Sequence, residues 1–241
     1  PPHLLPADER AKVLEKKDMY IDIGATSQEE VVEAGVRVGD PVVPQSEFVV
    51  LASGKTYLSK AFDNRIGCAA VIDTLRHYQD VDHPNQIFGV QTVMEEVGVR
   101  GATTSVRMVN PDVAIVIESD IAGDVPGIKD EVSDVKLGGG PSIMLYDARM
   151  IPNIKLRDLL IDTAESLNIP LQFTVMAGGA TDGSAIHLHG TGVPTIVVGV
   201  PARHIHSHGA IIHRDDYDRA IQLITAVVAK LDQATVDDLT K

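Results

Sequence analysis

The chain has 241 residues, a formal net charge of −13, one cysteine, no tryptophan and an ordinary share of apolar residues. That length can bury a sizeable core, and it suits one large domain or one and a half. No apolar run approaches the roughly 20 residues of a membrane span. The acid excess argues against nucleic acid as a partner, and lone Cys68 excludes an intrachain disulfide framework and fits a reducing, cytoplasmic compartment.

The chain opens Pro1-Pro2-His3-Leu4-Leu5-Pro6, without methionine, signal or transit pattern, and reads as a piece of something longer. Residues 1 to about 59 predict a small β-rich module or its tail. Tyr20 to Gly24 is a short strand, and Ser27-Gln28-Glu29-Glu30 has the capping-box form of a helix start. Val36 to Val43 and Glu47 to Leu58 are strand-like, with a turn at Ser53-Gly54-Lys55. From Lys60 apolar strands alternate with amphipathic helices, which predicts an α/β fold with a mixed, largely parallel sheet sandwiched between helices. The expected strands are 87–94, 112–118, 142–146, 171–176 and 194–200; the expected helices are about 64–78, 153–168 and 215–232. Cys68 falls in the first of these helices, as a small buried core residue.

The apolar run Ile87 to Met94 ends in Glu95-Glu96, followed by the glycine-punctuated turn Val97 to Gly101. Two acids at the end of a buried strand are costly, and extended backbone sends neighbouring side chains to opposite faces. One could hold a metal while the other handles a proton, since ligands bind outside the carboxyl ends of strands in open α/β sheets. A solvated turn with two surface acids is the alternative. Other potential ligands also follow strands: Asp63, the pair Glu118 and Asp120, and the histidines of Arg203-His204-Ile205-His206-Ser207-His208. On extended backbone His204, His206 and His208 would share a face; a histidine-rich surface loop is the alternative. His187 and His189 sit on a short helical segment and are read mainly as structural, as is His213 near the start of the last helix. Carboxylates with imidazole suit zinc, cobalt or manganese, and two such ions ~3.5–4 Å apart can polarise a carbonyl oxygen.

The runs Ala61 to Gly67, Glu95 to Ala102, Ile121 to Gly127, Gly178 to Asp182 and Pro201 to Ser207 occur in this order, and together the chain closely resembles the glutamyl aminopeptidase and tetrahedral (TET) aminopeptidase family of dinuclear metallopeptidases. The resemblance implies a zinc-exopeptidase-type fold, with residues 1–59 the tail of an inserted β-rich dimerisation domain. Residues 60–241 would then be the catalytic domain, without its N-terminal segment. It also implies that Asp63 bridges two metals, that Glu95 is the general base, and that Glu96 and His206 bind one metal. Counting back six residues from Asp124 assigns Glu118 to the other metal, a glutamate where the family usually has aspartate, with Asp120 as rival. A further family histidine falls upstream of the region matching Pro1.

The activity implied is removal of N-terminal residues from peptides, by an enzyme with two divalent ions per subunit that forms homo-oligomers from dimer to dodecamer. Two other readings remain. One is a catalytically incomplete assembly fragment, motivated by the upstream histidine. The other is an endoglucanase-type hydrolase, for which the chain is poor in sugar-stacking aromatics. Candidate substrate-pocket segments are the loop around Leu137 to Gly140 and the Gly178 to Asp182 turn, with ordinary tight turns as the alternative.

Overall fold

Two compact units make up the chain, Pro1–Val43 and Pro44–Lys241. The computed structural model describes every residue except Pro1, Ala7, Ala11 and Asp130, and the backbone alone of Pro2. In Pro1–Val43 the capping box forms as expected: helix α1 (Gln28–Glu33) starts at Ser27, whose Oγ accepts from Glu30 N at 3.3 Å. The Glu30 carboxylate reaches back to Thr26 N at 2.6 Å. Neither expected strand forms here. Asp22 Oδ1 captures Gly24 N and Asp40 Oδ2 captures Arg37 N, so short side chains bend both runs into turns. Tyr20 and Val38 are left exposed.

In Pro44–Lys241, β1 (Val49–Val50) and β2 (Thr56–Ser59) form the expected hairpin, and β2 continues antiparallel onto β7 (Ala210–His213). That pairing carries Pro44 to Ser59 into the larger unit, so the boundary between units lies at Val43/Pro44 and not near residue 59. The other strands are β3 (Ala114–Ile121), β4 (Ser142–Asp147), β5 (Gln172–Met176) and β6 (Thr195–Arg203). β6 is the hub of the seven-stranded mixed sheet. It runs parallel to β3 over eight residue pairs and pairs antiparallel with β4 and β7, while β4 and β5 form a second parallel ladder.

Alternation along β6 makes two cores. Ile196, Val198, Val200 and Ala202 face a large cluster with Leu156, Leu160, Leu223 and Ile224. These come from α4 (Ile154–Ser166) and α6 (Arg214–Val228); α2 (Phe62–His77) adds Ile66 and Ala70. Val197 faces the opposite side, with Met144 and Met150. The remaining helices are α3 (Arg100–Val109), α5 (Gly183–Ile186) and α7 (Gln233–Leu239).

Residues 87–94 belong to no strand, and Phe88, Val90, Val93 and Met94 are exposed rather than buried. A ladder needs a paired backbone, and among the described residues none pairs with this run in a sheet. The run instead crosses α2, where a side chain at Gly89 would stand 2.5 Å from Leu75 Cδ1. Helix α3 begins inside what reads as a glycine turn; its Thr and Gly content hides it, although Ala102 and Val106 bury on one face four residues apart. Cys68 is half-buried rather than a core residue. Leu160 is fully buried in the main core, so Leu160→Ala is expected to lower unfolding free energy by about 2–5 kcal/mol, measured by urea titration.

Candidate metal centre

The main chain is bent sharply at the segments that deliver Asp63, Glu95, Glu96 and His206, whereas Glu118 stands on the regular strand β3. Ala61, Met94, Val99, His204 and His206 all have left-handed φ between +50° and +60°. For a β-branched residue such as Val99 this is a costly conformation, of order 1–3 kcal/mol, that the surrounding fold must impose. Asp63 follows one such bend in the first turn of α2, Glu95 and Glu96 follow another, and His206 lies in the turn after β6. The segment from His204 to His208 is this turn, not extended backbone, so the three imidazoles do not share a strand face.

The bends bring Asp63, Glu96 and His206 together, each offering a ligand atom within 4.8 Å of the others. His206 Nε2 lies 2.9 Å from Asp63 Oδ2 and 3.5 Å from Glu96 Oε2. Asp63 is half-buried, and burial followed by the nearby Glu96 raises its pKa to about 6. Two carboxylates and an imidazole suit a borderline or hard divalent cation. Glu95 is half-buried beside this group; burial first, then Asp182, Glu96 and Asp63, raise its pKa to about 7.

Glu118 is buried and lies outside that three-residue group. Burial, then Glu95 and Asp182, push its pKa well above the usual carboxylate range. Asn64 Nδ2 donates to Glu118 Oε2 at 2.5 Å and to Ile117 O at 2.8 Å, while Asn64 Oδ1 accepts from Gly67 N at 2.9 Å. A side chain at Gly67 would meet Asn64 Oδ1 at 2.5 Å and Ile117 O at 2.6 Å, which is why a glycine stands there. Asp120 is also buried, but its carboxylate is occupied by Ser142 Oγ and Ile121 N. His187 Nδ1 pairs with Gly183 O, His189 Nε2 with Asn110 Oδ1, and His213 Nδ1 accepts from Asp215 N as the N-cap of α6.

Two further contributors were not singled out from sequence. Asp182 is buried at the start of α5, with Oδ2 accepting from Thr92 Oγ1 at 2.5 Å. Asp124 grips Arg203 at the end of β6 through Nε (2.9 Å) and Nη2 (2.5 Å), and also accepts from Leu137 N. Both lie within the sequence motifs, Asp182 at the end of a candidate pocket turn and Asp124 as the point from which Glu118 is counted, but only the fold shows which atoms meet.

An α/β sheet whose connecting turns gather carboxylates and an imidazole offers a group of side chains that could hold a divalent cation. The chain belongs to the M42 glutamyl aminopeptidase family, whose profile matches residues 1–223. It is 41% identical over 231 residues to FrvX of Escherichia coli K12, covering 95% of this chain and 64% of that protein. It is 33% identical to the glutamyl aminopeptidase of Lactococcus lactis subsp. cremoris, over 99% and 66% of the two chains. The chain thus spans a little under two thirds of these relatives' length. Among solved structures, a TET aminopeptidase from the marine sediment archaeon Thaumarchaeota archaeon SCGC AB-539-E09 superposes with a TM-score of 0.96 at 48% identity, over 99% of this chain and 67% of that one. The Pyrococcus horikoshii TET1 peptidase, which can assemble into a tetrahedron or a large octahedral shell, gives 0.74 at 31% identity, over 87% and 60%. Among the described residues no helix is long and apolar enough to cross a membrane.

His206→Ala is expected to weaken zinc binding by more than about 100-fold, beyond what loss of an outer hydrogen-bond partner costs, in competition titration against a chromophoric chelator; His208→Ala should leave it unchanged. The Arg203 hydrogen bonds hold the Asp124 carboxyl below its usual pKa. A lowered folded-state pKa gives stability that is present above the unfolded value, about 3.9, and lost as pH falls through the folded one. Asp124→Asn should therefore be less stable than wild type at neutral pH, with the gap closing below about pH 4 in urea unfolding series.

Proposed function

We propose that the chain carries most of the catalytic domain of a metal-dependent aminopeptidase that removes N-terminal residues from peptides. The observation that carries this reading is the meeting of Asp63, Glu96 and His206 beside a half-buried Glu95 whose pKa is raised to about 7. Family membership and the likeness to the Lactococcus enzyme support it. Asp63, Glu96 and His206 would hold one divalent ion, and Glu118, oriented by Asn64, would hold a second with Asp63 shared between them. When bound, such ions act as Lewis acids and make hydroxide available at neutral pH.

Glu95 then takes the proton of the attacking water and passes it to the leaving amine. A pKa near the working pH suits a group that must first accept and then donate. The acid excess around the site also favours the ammonium terminus of a peptide over a blocked end. We read the ions as zinc or cobalt, with manganese the third choice, and the compartment as cytoplasmic in view of the single free Cys68. Residues 1–43 are assigned to the end of an inserted dimerisation domain, supported by their separation as a compact unit. Assembly of the whole protein into dimers and larger shells is inferred from the P. horikoshii relative.

Glu95→Gln should cut turnover of an aminoacyl p-nitroanilide by about 10²–10⁴-fold while zinc titration shows metal still bound; near-normal turnover would remove Glu95 from this role. Chelation should abolish hydrolysis, added zinc or cobalt should restore it, and no reducing sugar should be released from cellulose.

A further inference from the structure

The proposed base, Glu95, follows residues 87–94 and lies three residues after Thr92. Residues 87–94 form no strand, and the backbone bonds from Val93, Met94 and Glu95 carbonyls go only to Gly98, Val99, Arg100 and Gly101 in the adjoining turn and helix. Among the described residues, one hydrogen bond ties residues 87–95 to anything beyond that turn. It runs from Thr92 Oγ1 to Asp182 Oδ2 at 2.5 Å.

Asp182 is well suited to be the fixed end of this tie. It is 6% exposed and begins α5, directly after Thr181. Thr181 is anchored in turn, through both N and Oγ1, to the fully buried Asp147 at the end of β4. Asp147 also accepts from Arg149 N at 2.7 Å, so its carboxylate is locked in place. Among the described residues, nothing hydrogen-bonds to the other oxygen of Asp182, Oδ1, which is also buried.

We propose that Asp182, through the Thr92 hydroxyl, is the positioning residue that registers Glu95 against the metal ligands. The linkage runs from the end of β4 through Asp147, Thr181, Asp182 and Thr92 to the bend at Met94 and Glu95. The proposal rests on Glu95 being the base as far as catalysis is concerned; the structural tie stands apart from it.

Two measurements on the full chain separate these. Hydrogen exchange, read by mass spectrometry over residues 87–101, should be faster in Thr92→Val and Asp182→Ala, whereas Thr92→Ser, which keeps the hydroxyl, should match wild type. Against an aminoacyl p-nitroanilide, Thr92→Val should lower kcat about 10- to 100-fold, the scale of a misplacement near 1 Å. KM and zinc affinity should stay within about twofold, and Thr92→Ser should recover kcat. Unchanged exchange in Thr92→Val, or a Thr92→Ser protein as fast as Thr92→Val, overturns the tie. Faster exchange with kcat intact, or an equal loss in KM and zinc affinity, overturns the positioning role. A wild-type chain without metal-dependent hydrolysis counts against the proposed function, and the exchange comparison still decides the tie.

Discussion

Mutual repulsion among acids is the constraint on which the site depends. Asp63, Glu95, Glu96, Glu118 and Asp182 act on one another electrostatically, and His206 partly offsets this at Asp63 and Glu95. Burial adds to the repulsion, because desolvation penalises each charge. Left alone, such a cluster would spread apart or take up protons. The fold holds it with rigid, strained turns, and in the proposed function divalent cations would neutralise it. A site that is unfavourable until occupied is also one in which binding does much of the folding work.

The supports divide by origin. Asn64 and Gly67, at the start of α2, fix Glu118 on β3. Asp124 and Arg203 clamp the end of β6 just before the turn that carries His206. Asp147 anchors the Gly-rich turn from the end of β4. Apart from Gly67, each is a polar side chain whose hydrogen bonds go to backbone or to another functional group. Arg203 and Asp147 stand at strand ends, which is how a sheet can assemble ligands from distant parts of the sequence.

Much of this was legible in the residue order. The alternation of strands and helices after Lys60 marked the α/β fold, and the helix expected at about 153–168 lies close to the observed span of α4. The motif residues Asp63, Glu95, Glu96, Glu118 and His206 were all named from sequence. What escaped was tertiary. Ile87 to Met94 reads as a buried strand because its residues are apolar, but burial requires a partner that pattern cannot supply. The histidine run reads as extended because left-handed φ at His204 and His206 leaves no trace in residue type. Asp182 reads as one more turn acid until its neighbours Thr92 and Glu95 are brought against it from far away in the chain.

That distance has a mechanical side. Asp63, Glu96 and His206 come from three segments with long stretches of chain between them, so an ion gripping all three would close two large loops, as a pair of covalent cross-links would. The unfolded chain would lose more freedom than the folded one. Occupancy would then act as a latch on the whole of Pro44–Lys241, α2 and β6 included, and a protein emptied of its ions would unfold at lower temperature and be cut by proteases far from the ligands themselves.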